Sequence, residues 1–353
     1  MENERGDIRG QSIKYKKLQT LMYHINKETL IKEHQKQNNN KASGIDKMTK
    51  EKYELNLYNN IDELIQRMKL FKYKPQAVRR TYIPKANGEL RPLGISAYED
   101  KLVQGVMANI LNDIYESRFL NCSYGFRPSR NCHNAIKSIK KSIMTKPVNY
   151  ILDADIKGFF DNVDHKWLIK FLENDIEDKN FIRYVVRFLK SGIMEKDVIK
   201  ESLKGTPQGG LISPVLANVY LHYVLDLWVE KWIKPRAKGY VEIVRYADDF
   251  IVMFQYENEA KSFYEVLKKR LLKFKLELEE SKTRIIPFGR LKGSKESFDF
   301  LGFTHINAKT RKGKYIVKHK TSKKKMKAKR KEFKMWMKEN MHRPVYEIME
   351  TIK

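Results

Sequence analysis

Residues 241–254, VEIVRYADDFIVMF, place two apolar, β-branched runs on either side of Tyr246-Ala247-Asp248-Asp249. The pattern predicts a strand, a tight turn and a second strand, with Asp248 and Asp249 at the tip. Two adjacent carboxylates repel each other, so a hairpin that presents them together needs a cation to offset the repulsion. A hard divalent ion such as Mg²⁺, held by one or two carboxylates plus substrate phosphates, meets that need. Asp also favours turns on its own account, so this stretch alone is equally an ordinary solvated hairpin.

A second acidic cluster lies upstream in YILDADIKGFFD, residues 150–161. It begins as a strand, and period 2 puts Asp153 and Asp155 on one face. Two acids on one face of an apolar strand favour metal binding over a purely structural role. Asp161 and Asp164 read as turn and cap residues, with Trp167, Leu168, Phe171 and Leu172 of the following helix facing the core.

The chain has 353 residues, enough for two or three domains. Lys and Arg number 71 against 43 Asp and Glu, a formal charge of +28. A field of that sign and size points to a polyanionic partner, nucleic acid before an anionic membrane. The two cysteines, Cys122 and Cys132, have neither zinc spacing nor a disulfide framework and fit a reducing compartment, the cytoplasm. The N-terminus lacks the apolar core of a signal peptide. Leu211–Trp232 is the most apolar segment, but Pro214, Asn218, His222 and Asp226 make it a buried helix rather than a membrane span.

Around these clusters the chain predicts amphipathic helices over 11–36, 51–72 and 99–116. NNNKASGID, residues 38–46, reads as a flexible basic loop, either a plain linker or a closure over a nucleic-acid backbone. Val78–Lys85 and Leu90–Ile95 flank Asn87-Gly88, a hairpin that places Lys85 and Arg91 on two arms of one ribbon. Two cations so placed can grip a triphosphate or can simply be solvated. Tyr124-Gly125-Phe126-Arg127 suits stacking on a base or contact with a template, and the two rings can also pack inward. Gly205–Gly210 (GTPQGG) opens the apolar helix as a tight turn or as a backbone that comes close to a base pair. Phe263, Leu267, Leu271, Phe274 and Leu278 mark a helix packed on a sheet, and 298–303 (FDFLGF) predicts a short aromatic strand. Residues 311–334 hold thirteen Lys or Arg and one acid, Glu332, and merge into a helical pattern suited to a duplex backbone.

In this order the motifs resemble the reverse transcriptases, and within them the bacterial group II intron type. The resemblance spans about residues 38–340. It rests on RRTYIPKANGELRPLGI (79–95), SYGFRPSR (123–130), DADIKGFFDNVDH (153–165), GTPQGGLISPVLANVYL (205–221), RYADDF (245–250), EESKTRI (279–285) and FLGF (300–303). It implies an α+β, right-hand polymerase architecture. Residues 1–149 would form an N-terminal extension and fingers, 150–306 a palm with an antiparallel sheet backed by helices, and 307–353 a partial, basic helical thumb. It implies RNA-directed DNA synthesis with dNTPs on an RNA template from a DNA or RNA primer, with group II intron RNA as a further partner. Two Mg²⁺ ions about 3.5–4 Å apart, replaceable by Mn²⁺, would serve nucleotidyl transfer.

Residue by residue, the resemblance implies Asp155, the adjacent Ile156, Asp248 and Asp249 at the metals. Asp153 shares their face but lies two positions before the family's ligand. Lys282 matches a lysine assigned to pyrophosphate departure. Lys85 and Arg91 match the triphosphate grip, and Gln208 and Gly209 the loop beside the incoming base pair. Phe160 matches the aromatic that excludes a 2′-hydroxyl, with Phe159 as its competitor. Tyr124 and Arg127 would contact template, Tyr246 would lie under the primer end, and Leu301, Gly302 and Phe303 resemble the primer grip. Two further readings stay open: an RNA-binding splicing cofactor (a maturase), and a defence or diversity-generating reverse transcriptase. Three convergent acids favour an enzyme, because binding alone does not require them.

Overall fold

The computed structural model describes residues 3–84, 90–195, 198–200, 204–206, 209–292 and 295–352. It is α+β. The chain opens with α1 (Asn3–Lys14), α2 (Lys27–Lys36), α3 (Lys50–Glu54) and α4 (Leu57–Lys69). Strands β1 (Val78–Pro84) and β2 (Leu90–Ile95) lead to α5 (Tyr98–Tyr115) and α6 (Cys132–Thr145). Next come β3 (Tyr150–Ala154), α7 (Phe159–Asn162), α8 (His165–Asp175), α9 (Lys179–Leu189), β4 (Ile193–Glu195) and β5 (Val198–Lys200). Helix α10 (Ser213–Leu221) continues as π-helical turns over His222–Asp226 and Val229–Ile233. The hairpin β6 (Val241–Tyr246) and β7 (Asp249–Phe254) precedes α11 (Glu257–Lys273) and β8 (Arg284–Pro287). The chain ends with β9 (Ser297–Phe300), β10 (Phe303–Lys309), β11 (Tyr315–Thr321), α12 (Lys323–Asn340) and α13 (Val345–Ile352).

The central sheet is antiparallel, in the order β6-β7-β3-β8. It is covered on both faces, which explains why β6 and β7 are apolar almost throughout. Alternate side chains go to opposite sides. Leu152, Ile243, Phe250 and Val252 join the larger core with Leu216 of α10 and Phe263 and Leu267 of α11. Ile151, Val244, Ile251 and Met253 join a second core with Ile139 and Ile143 of α6 and with Phe298, Phe300 and Val317. A second sheet runs β2-β1-β4-β5, with β1 and β4 parallel, and a third runs β11-β10-β9. Among the described residues no helix is long and apolar enough to cross a membrane.

Four expectations are corrected. The helix expected over 11–36 is two helices. Leu18 leaves the helical path to exchange backbone hydrogen bonds with Asp175 and Glu177, and Thr20 turns the chain at φ 57. The helix expected over 51–72 breaks at Leu55-Asn56, where Leu55 is 88% exposed. FDFLGF is two strands around a turn at Leu301-Gly302, both with positive φ (51 and 80). The NNNKASGID loop is anchored over its second half. Asp46 accepts the Tyr98 N–H at the start of α5, Arg79 donates to the Ser43 carbonyl, and Lys101 to that of Ala42. A Cβ on Gly44 would stand 2.5 Å from the Ser96 carbonyl oxygen, so this approach requires glycine.

Candidate active site

Strand register alone brings the acids together. Ala154 pairs with Phe250 and Tyr246 with Asp249, so Asp155, the Ala247-Asp248 turn and Asp249 lie at one end of the central sheet. Asp153 sits one pair further in, opposite Ile251 and Arg284. Lys282 donates to Asp155 at 2.8 Å, and Arg284 faces Asp153 at 3.7 Å. These cations do not neutralise the cluster. Asp249 is pushed up to about 7, first by desolvation on its protein side and then by the Asp248, Asp155 and Asp153 charges. It is nonetheless open to solvent on its outer side. Desolvation also raises Asp248, against Arg91 and Arg245, and lifts Asp153 to about 6 against Arg284. Asp155 pulls Lys282 above the usual lysine range.

The turn is held from below by a residue that sequence reasoning missed. Arg245 is fully buried. Its guanidinium makes a two-pronged pair with Asp226 at 2.7 and 2.6 Å. It also donates to Asn218 Oδ1, Ser123 Oγ and the Ala247 carbonyl at 2.9, 2.8 and 2.9 Å. Asn218 in turn donates to the Gly125 carbonyl at 2.7 Å. A Cβ on Gly125 would stand 2.5 Å from the Ala247 nitrogen, so the Tyr124-Gly125 backbone lies against the acidic turn. Asp226 closes a π-helical turn, a distortion common at functional sites.

The remaining expected residues divide. Phe159 is buried in the larger core, whereas Phe160 is half-exposed and meets Phe126 edge-on at 6.4 Å. Phe126 is 49% exposed. The Phe160 carbonyl accepts the Thr206 N–H at 2.7 Å, and Gly205 N–H donates to the Val163 carbonyl, joining the glycine loop to this turn. Gly209, at φ 106, approaches the Gly94 carbonyl so closely that a Cβ would stand at 2.5 Å. Gly209 therefore rests on β2, the strand that carries the exposed Arg91. Ile156 is buried, so only its carbonyl could serve as a ligand. Tyr246 and Leu301 pack partly buried against the second core. Phe303 lies edge-on to His133 and beneath Lys325. The Gly302 carbonyl accepts the Ser322 N–H at the start of α12. Lys85 and Gln208 lie outside the described residues.

Arg127 is a correction. It is 5% exposed, and its guanidinium is used up by the Glu116 carboxylate and the Leu120 and Ser123 carbonyls, so it is not free to grip a template. Tyr124 is half-buried against the second core under Arg130, whose guanidinium lies 5.4 Å from the ring.

The donor set suits hard divalent cations. It is all oxygen, and repulsion from neighbouring carboxylates adds to the desolvation that raises Asp248 and Asp249. Among the described residues no three acidic, His or Cys side chains are drawn close enough to hold an ion unaided. Substrate phosphates would complete such a site.

Residues 83–305 match the family model described as reverse transcriptase (RNA-dependent DNA polymerase). The chain is 44% identical over 172 residues to the group II intron-encoded protein LtrA of Lactococcus lactis subsp. cremoris, covering 47% of this chain and 28% of that protein. It is 32% identical over 278 residues to protein YkfC of Escherichia coli K12, covering 69% of this chain and 71% of YkfC. The fold is similar to that of Candida albicans telomerase, solved with a fragment of telomeric RNA. The TM-score is 0.52 at 14% identity, over 77% of this chain and 50% of that one. The architecture is that of the right-hand polymerases. The chain belongs to the reverse transcriptase family, and within it is similar to the group II intron-encoded proteins.

Proposed function

We propose that the protein is an RNA-directed DNA polymerase that extends a primer 3′-hydroxyl with dNTPs on an RNA template. The observation that carries this reading is the convergence of Asp155, Asp248 and Asp249 at one sheet end, with the Arg91 charge acting on Asp248. Residues 1–149 would serve as fingers, 150–306 as palm and 307–353 as the start of a thumb. Mg²⁺ ions, when held by the three carboxylates and the Ile156 carbonyl, would lower the charge on the attacking and leaving oxygens. Arg91, with Lys85, would fix the triphosphate. Lys282, which donates to Asp155, would supply a proton to departing pyrophosphate. Gly209, which lies against β2, and Gln208 would meet the new base pair. Tyr246 and Leu301–Phe303 would seat the primer. Phe160 would exclude a 2′-hydroxyl, a reading supported by the burial of Phe159 in the core.

Primer extension on an RNA template with dNTPs and Mg²⁺ tests the reading. Asp248→Ala should lose more than about 100-fold in rate, beyond the 10–100-fold typical of groups that merely support a metal ligand. Extension that survives the change would remove Asp248 from the metal site, and no extension by the wild-type chain would sink the polymerase reading. A splicing cofactor would instead bind structured intron RNA and leave the primer unextended. Phe160→Ala should admit ribonucleotides, and unchanged sugar selectivity would place the gate elsewhere.

A further inference from the structure

The central sheet has a second end. At the acidic end Asp153 pairs with Ile251 and Arg284, and at the far end Tyr150 pairs with Phe254 and Pro287. Three residues of strand rise, about 10 Å, separate the two. Beyond the far end, the last turn of α6 and the chain after β8 meet the tip of the β10–β11 hairpin. Met144, Arg290, Lys309, Lys312, Lys314 and Tyr315 line a cleft of about 740 Å³ there.

Its lining has four cations and no carboxylate. All four are exposed, and none is engaged by an ion pair among the described residues. The turn at the hairpin tip fixes the backbone that carries three of them. Thr310 N–H donates to the Lys314 carbonyl at 2.8 Å, Gly313 N–H to the Thr310 carbonyl at 3.0 Å, and Lys314 N–H to Thr310 Oγ1 at 3.1 Å. Gly313 supplies the positive φ of 76 that this turn needs. Like charges fixed around a concavity repel one another until a polyanion enters and releases its counterions. A duplex backbone, with about one charge per 1.7 Å, supplies that density over a convex rod. A membrane surface would require an apolar face to insert, and the cleft offers Met144 and the half-buried Tyr315.

We propose that this cleft binds the phosphodiester backbone of a nucleic-acid segment distinct from the primer–template at the carboxylates. The distal site would anchor a folded region of the template or a second nucleic acid while the acidic end remains free to act. Binding of a phosphodiester backbone follows from the charge and shape of the cleft, and its separateness from a primer–template rests on the polymerase reading.

The test uses the full chain and R290Q/K309Q/K312Q/K314Q, four exposed changes outside both cores. The acidic cleft is first saturated with an unlabelled short primer–template. Fluorescence anisotropy then follows a labelled blunt RNA hairpin, and separately a DNA hairpin of the same sequence, through a salt series. The variant should bind a hairpin at least about 10-fold more weakly, and its slope of log K against log salt should fall by about three to four, one per lost contact. Loss with RNA alone identifies structured RNA as the ligand, and loss with both identifies any phosphodiester backbone. Unchanged hairpin affinity in the variant overturns the proposal. So does a loss confined to polyglutamate or to phosphatidylserine vesicles. The anisotropy needs no catalysis, so a failed extension assay sinks the polymerase reading and leaves this one measurable.

Discussion

A guanidinium with no solvent contact is stable only where its donors are met and its charge is paired. Arg245 satisfies both conditions, and in doing so ties the Ala247 carbonyl to α10 and to the Ser123 loop. Asp248 follows immediately in the chain, so the network sets where the acidic turn lies. Arg245→Ala should lower stability by about 3–5 kcal/mol, because Asp226 is left buried and unpaired. R245M/D226L should recover most of that loss in urea unfolding, since an apolar pair of similar volume removes both charges. Primer extension by the double variant should nonetheless stay low, because the Ala247 carbonyl has lost its donor. Full extension would show that the turn holds itself. The three acids were legible from the sequence because they stand at the ends of short apolar strands and in the turn between two of them, which the alternating pattern marks out. Arg245 was not, because Asp226 lies 19 positions away and Ser123 122 positions away. Only the fold makes them neighbours.

Elements were legible where hydrophobic period and burial agree, as in β3, β6, β7 and α11. They were misjudged where a distant segment overrides local pattern. Leu18 abandons a helix for the backbone of Asp175, and Leu301-Gly302 folds one aromatic run into two strands. The sheet formed by β9, β10 and β11 also hides a consequence of its packing. His305 is fully buried and stacked on Phe298 at 4.6 Å, and among the described residues neither ring nitrogen has a hydrogen-bond partner. Burial, helped by the neighbouring His319 charge and opposed by Asp299, pushes its imidazole down to about 4. The unfolded chain takes up this proton near pH 6.5, while the folded chain refuses it until about pH 4. Stability from this group is therefore lost as pH falls through that window. His305→Phe should gain about 1–2 kcal/mol on the wild type at pH 5 relative to pH 8, by thermal melts at both. His222, also held near 4 by burial, should leave part of the acid sensitivity in place. An unaltered difference between the two pH values would mean that folded His305 is partnered or protonated.

The molecule as a whole carries +28, and the structure shows where much of it remains unneutralised. Within α12 the ion pair among the described residues is Lys329 with Glu332, while Lys323, Lys324, Lys327, Arg330, Lys331 and Lys334 stand exposed. The helix starts beside the Leu301–Phe303 turn, where Ser322 both donates to the Gly302 carbonyl and caps the Lys325 N–H. A cationic rod is thus attached directly to the segment proposed to seat the primer. If α12 follows a duplex away from the acidic end, six or more phosphates lose counterions on binding. Primer–template affinity should then fall by about 10³-fold or more between 50 and 200 mM salt. Replacing Lys327, Arg330 and Lys331 with Gln should weaken all primer–template sequences alike. Each lost cation should also reduce the salt slope by about one. Sequence-independent loss is the signature of backbone contact, because phosphates position a duplex without reading its bases. A loss confined to particular sequences would place α12 in a groove, and no loss at all would leave the duplex path to other elements.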